Sequence, residues 1–133
     1  HLDYDHGTGH GVGVFSNVHQ GPQGITRVNT VPLKPGMVLS IEPGVYLEGK
    51  LGIRLENLVY IKRGRRHFRP KNEFYEFETL TLAPFEKNLI EKKLLSRDEL
   101  LWLNSYHRNV YQKLSPFLGQ PDKNWLKDIC RIM

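Results

Sequence analysis

The sequence predicts a mixed α+β chain with its strands first and its helices last. Three observations carry this. Residues 37–46 and 52–61 are apolar runs on either side of Glu48-Gly49-Lys50, the pattern of a β-hairpin. Residues 73–82 alternate well enough for a third long strand. After Ser96 the apolar residues recur at spacings of three and four, which is the period of a helix.

The elements follow in order. Residues 6–13, His-Gly-Thr-Gly-His-Gly-Val-Gly, are too glycine-rich for a regular element, and residues 12–19 read as strand-like. Gly21-Pro22, Pro32 and Pro35-Gly36 mark 20–36 as loop and turn. Met37, Val38, Leu39, Ile41, Val45 and Tyr46 make the first long strand. Ile53, Leu55, Leu58, Val59 and Ile61 make its partner. The composition shifts near Pro84. Ser96-Arg-Asp-Glu99 is a capping box, in which the serine hydroxyl and the glutamate satisfy free backbone N–H groups. Leu100, Leu103, Tyr106, Val110, Leu114 and Phe117 then form the apolar stripe of a helix, with Pro116 in its last turn. A second short helix starting near Asp122 is expected to bury Trp125, Leu126 and Ile129.

A chain of 133 residues suffices for one domain with a real core, and its 39% hydrophobic and 25% charged residues exclude a disordered or fibrous class. No apolar run is long enough for a membrane span, and no leader pattern is present. The single cysteine, Cys130, excludes an intrachain disulfide framework and suits a reducing, cytoplasmic setting. The net charge of +5 owes much to Lys62, Arg63, Arg65, Arg66, Arg69 and Lys71, with His67 and Phe68 among them. Nucleic-acid patches have this composition, and so do solvated turns. Gly64 and Pro70 punctuate the run and no nucleic-acid motif accompanies it. It therefore reads as a turn, and neither nucleic acid nor membrane is expected as a partner.

His6 and His10 have the HxxxH spacing of helical zinc sites, but Gly7, Gly9, Gly11 and Gly13 would each cost a helix about 1 kcal/mol. The glycines fit close approach of backbone to a ligand or to a packed strand instead. The hairpin says more. A turn centred on Gly49 sets Glu42 opposite Glu56, Gly44 opposite Arg54 and Tyr46 opposite Gly52, all on one face. Ile41, Val45, Ile53 and Leu55 fall on the other face, expected to be core. Two opposed carboxylates repel. A cation, a shared proton or a nearby arginine would neutralise them, and a plain solvent-facing hairpin is the alternative. Oxygen ligands with one imidazole suit Mn²⁺, or else Zn²⁺ or Co²⁺.

The stretches HGTGHGVG at 6–13, NVHQGPQGI at 17–25, LKPGMVLSIEPGVY at 33–46 and GIRLENLVYI at 52–61 resemble the M24 metallopeptidase family, most closely its Xaa-Pro aminopeptidase (aminopeptidase P) branch. TLTLAPFEKNLI at 79–90 and LLWLNSYH at 100–107 are similar to that branch's C-terminal extension. The resemblance implies an α/β (α+β) fold: the second half of a pita-bread (creatinase/aminopeptidase-like) catalytic domain over 1–83, then a helical extension over 84–133. It implies a hydrolase that releases the N-terminal residue from peptides with proline in second position, using two divalent metal ions, Mn²⁺ foremost. His10, Glu42 and Glu56 match metal ligands, and Glu42 also matches the general base. His6 and His19 match catalytic and substrate-holding histidines, and Tyr46 and Arg54 match residues beside the proline pocket. Val45 stands where the branch has a tyrosine. A homodimer through the C-terminal region is also implied.

Two further ligands of the family are aspartates upstream of the HGTGHG segment, and Asp3 and Asp5 do not occupy their place. The metal site is thus expected to be incomplete in these residues. The chain, which begins at His1, reads as a C-terminal fragment, inactive and prone to self-association when alone. Prolidase or another M24 peptidase is one competing reading, disfavoured by the C-terminal extension. A non-catalytic M24-like peptide- or protein-binding module is the other, and such modules tend to lose the ligands that His10, Glu42 and Glu56 retain.

Overall fold

A computed structural model describes residues 3–15, 17–64 and 73–133. The chain divides into two compact units, His1–Thr81 and Leu82–Met133. The first holds strands β1 (Gly9–His10), β2 (Gly24–Ile25), β3 (Val38–Ile41), β4 (Gly44–Leu47), β5 (Leu51–Arg54), β6 (Asn57–Arg63) and β7 (Tyr75–Thr79). Every pairing is antiparallel: β1 with β2, β4 with β5, and β6 between β3 and β7. The α+β class read from the sequence holds.

The strand expected over 37–46 is broken at Glu42-Pro43, because proline has no N–H for the ladder and Glu42 sends its own N–H to the Thr8 carbonyl at 2.7 Å. The register is not shifted by the break. Ile41 lies opposite Asn57 and Gly44 opposite Arg54, with the Leu55 N–H bonded to the Pro43 carbonyl between them. Glu42 and Glu56 are therefore the facing positions at the break, as the hairpin arithmetic requires. Gly49, at φ 69°, takes the left-handed conformation that the turn needs.

Leu39, Val59 and Ile61 alternate on one face of β3 and β6 and form the core of this unit, with Ile25, Leu33, Met37 and Ile41 packed on them. Each such buried aliphatic side chain contributes about 1.5–3 kcal/mol. The expectation that Val45, Ile53 and Leu55 are core is corrected: all three are exposed. Beyond Pro43 the ribbon is only β4 and β5, and its odd-numbered face has no covering layer among the described residues. Among the described residues of 12–19 the expected strand does not form either. The Gln20 N–H closes on the Gly11 carbonyl at 2.9 Å and the Gly13 N–H on the Asn17 carbonyl at 2.8 Å, so the backbone satisfies itself within a loop. Val14 and Phe15 lie at its exposed tip. Lys62 pairs with Glu78 at 2.7 Å, and Arg63 with Glu73. Arg65, Arg66, Arg69 and Lys71, with His67 and Phe68, lie outside the described residues.

The second unit holds α1 (Arg97–Leu114) and α2 (Gln120–Ile129) with short 3-10 turns before and between them. The capping box forms as read: the Glu99 N–H donates to Ser96 Oγ and the Ser96 N–H to the Glu99 carboxylate. Tyr106, Val110, Leu126 and Cys130 make the core. The Tyr106 hydroxyl donates to the Ala83 carbonyl at 2.7 Å, tying the segment before α1 to its buried face. Two expected core residues are exposed. Trp125 falls beside the stripe that carries Leu126, and Phe117 lies in the 3-10 turn Ser115–Phe117, where the helical period has ended. Helix α2 begins at Gln120, with Pro121 in the first turn, where its missing N–H costs no helical bond. Among the described residues no helix is long and apolar enough to cross a membrane.

Candidate functional site

Residues 8–12 run antiparallel beside β3. The Glu42 N–H bonds the Thr8 carbonyl, Gly11 bridges to Leu39, and the Val12 N–H bonds the Val38 carbonyl at 3.3 Å. Glycines permit this approach, since a Cβ on Gly9 would overlap the Ser40 carbonyl. His10 is thereby set beside Ser40, on the face that carries Glu42. Gly44, Tyr46, Arg54 and Glu56 continue that even-numbered face.

His10 Nε2 stands 3.1 Å from Glu42 Oε1. The other ring nitrogen, Nδ1, lies 3.0 Å from the Gly11 carbonyl, which can only accept, so Nδ1 carries a proton. A neutral imidazole then points the Nε2 lone pair at a carboxylate oxygen. Two acceptors at that distance attract only with a proton or a cation between them. Ser40 Oγ donates to the same oxygen at 3.1 Å, and Arg54 Nη1 donates to Oε2 at 3.3 Å.

A second chain of hydrogen bonds runs along the face. Arg54 Nε donates to the Tyr46 hydroxyl at 2.9 Å, and that hydroxyl stands 2.7 Å from His6 Nε2. His6 Nδ1 is committed to the Gly7 carbonyl at 2.8 Å, which leaves Nε2 to accept the tyrosine proton. The Arg54 pKa is raised above its already high value, first by the bond to Tyr46 and also by the charges of Glu42 and Glu56. The rings of His10 and His19 are 4.2 Å apart.

The fold thus brings His6, His10, His19, Glu42, Tyr46 and Arg54 together. Glu56 holds its register position opposite Glu42 with its side chain exposed. Among the described residues no three His, Cys, Asp or Glu side chains converge on a point that could hold a metal. The donors that do meet, one imidazole nitrogen and one carboxylate oxygen, fit a divalent ion of the Mn²⁺, Zn²⁺ or Co²⁺ kind. Of the neutralising devices expected for Glu42, the arginine is present. Ser40 escaped the sequence reading, although its position two residues before Glu42 puts it on the same face.

A model of metallopeptidase family M24 matches residues 1–63, and one of the C-terminal region of peptidase M24 matches residues 73–133. A probable Xaa-Pro aminopeptidase P of Coprinopsis cinerea is 49% identical over 95% of this chain and 21% of its own length. One of Laccaria bicolor is 44% identical over 97% of this chain and 21% of its own length. The chain thus spans about a fifth of the curated relatives it matches. The solved X-prolyl aminopeptidase of Caenorhabditis elegans, described as a cytosolic enzyme with a di-nuclear active site, superposes with a TM-score of 0.87. It is 38% identical, over 99% of this chain and 22% of that one.

Proposed function

The chain belongs to the M24 metallopeptidase family, and we propose on that premise that it supplies part of the catalytic centre of a metal-dependent Xaa-Pro aminopeptidase. The observation that carries the reading is the His10–Glu42 pair, 3.1 Å apart on the face that also holds the Arg54–Tyr46–His6 chain. Residues 1–83 act as the second half of the pita-bread domain and 84–133 as a helical extension that forms a homodimer. The cytosolic description of the C. elegans enzyme supports a cytoplasmic location.

His10, Glu42 and Glu56 would hold a pair of divalent ions, with Mn²⁺ the first expectation, together with two aspartates elsewhere in the full-length protein. The chemistry such ions supply is a water acidic enough to give hydroxide near neutral pH and a polarised carbonyl. Glu42 takes up the proton of the attacking water and returns it toward the leaving nitrogen. His19 holds the scissile carbonyl and stabilises its oxygen as charge develops, while His6, with Nδ1 on the Gly7 carbonyl and Nε2 on the Tyr46 hydroxyl, helps to hold the substrate through that tyrosine. The Arg54–Tyr46 bond fixes the tyrosine hydroxyl against His6 and makes one wall of the proline pocket. Proline nitrogen carries no N–H in the peptide, so the wall selects by shape.

His10→Ala or Glu56→Ala in the full-length protein is expected to abolish Mn²⁺ uptake and hydrolysis of an Xaa-Pro peptide. His19→Ala should act on kcat, lowering it about 10²–10³-fold. Unchanged turnover in Glu56→Ala would overturn the ligand assignment. The 133-residue chain alone is expected to be inactive, and robust hydrolysis by it would overturn the shared-site reading. A second reading, a non-catalytic peptide-binding module, draws on Arg54, which pairs with Glu42 and neutralises it without a metal. Mn²⁺ uptake by the full-length protein separates the two.

A further inference from the structure

Ser40 has no solvent exposure and sits in β3 directly beneath the His10–Glu42 pair. Its Oγ has two partners. The His10 backbone N–H donates to it at 3.0 Å, and because an N–H can only donate, the hydroxyl proton is directed to Glu42 Oε1 at 3.1 Å. One hydroxyl therefore joins the main chain of the strand bearing the imidazole to the carboxylate facing that imidazole. The Thr8–Glu42 backbone bond ties the same two strands two residues away. Without the hydroxyl, the His10 N–H and Glu42 Oε1 each lose a partner, and Arg54, at 3.3 Å from Oε2, is left to draw the carboxylate toward itself.

We infer that Ser40 is a positioning residue of this site, holding Glu42 and the His10 strand in the one arrangement in which both donors reach a common ion. The inference rests on the metallopeptidase reading. Partners that orient a metal-binding carboxylate tune its affinity for the ion, so a carboxylate free to turn toward Arg54 binds it more weakly. Ser40 lies under the face with its hydroxyl on the Glu42 carboxylate and the His10 main chain, so its effect passes through these two residues.

The test uses the full-length protein with Ser40→Ala and Ser40→Thr. Ser40→Ala is expected to weaken Mn²⁺ binding, measured calorimetrically with Mn²⁺ alone, about 10–100-fold, and to lower kcat to a similar extent. KM for an Xaa-Pro peptide should stay within about twofold, because substrate contacts are kept. Amide hydrogen exchange at His10 should quicken in Ser40→Ala and return toward the parent rate in Ser40→Thr. Parental Mn²⁺ affinity and kcat in Ser40→Ala would overturn the assignment. Should the parent protein take up no Mn²⁺, the metallopeptidase reading fails, and exchange at His10 still decides Ser40: quickened exchange supports the tie, and unchanged exchange overturns it. Ser40→Cys, whose thiol is somewhat larger and donates only weakly, gives the same readings if Ser40→Ala does not fold.

Discussion

A Cβ added to Gly44 would overlap the Tyr46 hydroxyl and lie 2.5 Å from its Cζ. The obstacle is the far end of a side chain and not backbone, so the ring can swing away. Gly44→Ala is therefore expected to leave stability within about 1 kcal/mol of the parent while breaking the Tyr46 bonds to His6 and Arg54. KM for an Xaa-Pro peptide should rise, and Tyr46→Phe should reproduce the effect. A stable full-length Gly44→Ala protein with parental kinetics would overturn the proposed place of Tyr46 in the pocket wall. Gly9 behaves differently, because the Ser40 carbonyl that its Cβ would meet is backbone. His6, His10, His19, Glu42, Tyr46 and Arg54 were legible as candidate residues from their motifs. The hydrogen bonds that rank them were not, because His6 and Tyr46 are forty residues apart in the chain and meet only after the sheet forms. Ser40 was passed over because a serine within a strand carries no sequence signal of its own.

At the scale of elements, helix α1 was the most legible because its signals are local. The cap and the stripe of Leu103, Tyr106 and Val110 depend on spacings of three and four alone. Ser96→Ala should cost about 1 kcal/mol in urea unfolding, with far-UV circular dichroism as the reporter. The Glu99 carboxyl is held below its ordinary value by its bonds with Ser96, the side-chain bond first. Its contribution to the cap is therefore complete above the unfolded value of about 4.3 and is lost as pH falls through the lower folded value. Ser96→Ala should weaken that acid dependence, leaving only the part due to the Ser96 N–H, and an unchanged dependence would place it elsewhere. The strand boundaries were less legible. Alternation ran through Glu42-Pro43 without a sign of the break, although a proline that cannot donate to a ladder was the available clue. The register survived the break because Gly49 pins the turn.

At the scale of the whole molecule, the C-terminal unit holds a buried titratable group that the site does not use. His107 is fully buried on α1. Its Nε2 accepts the Phe85 N–H at 3.1 Å, and Nδ1 has no partner among the described residues. Burial lowers its pKa, and the Lys87 charge adds to the effect. The unfolded chain therefore binds the proton more readily than the folded one. The stability of this unit is expected to be complete above the unfolded pKa of about 6.5 and to decline as pH drops below it toward the lower folded value. Urea melts followed by Trp102 and Trp125 fluorescence should show the decline, and His107→Gln should flatten it. A pH-independent midpoint between 5 and 7 would refute the assignment. Taken by itself, the sequence determined the α+β order, the hairpin register and the family, because these rest on alternation, helical period and runs of neighbouring residues. Only the tertiary structure decided which apolar faces are covered, leaving Val45, Ile53, Leu55 and Trp125 exposed. It alone joined His10, Ser40, Glu42 and Arg54 into one network. Burial and side-chain meeting depend on what packs from distant parts of the chain, and no local pattern carries that information.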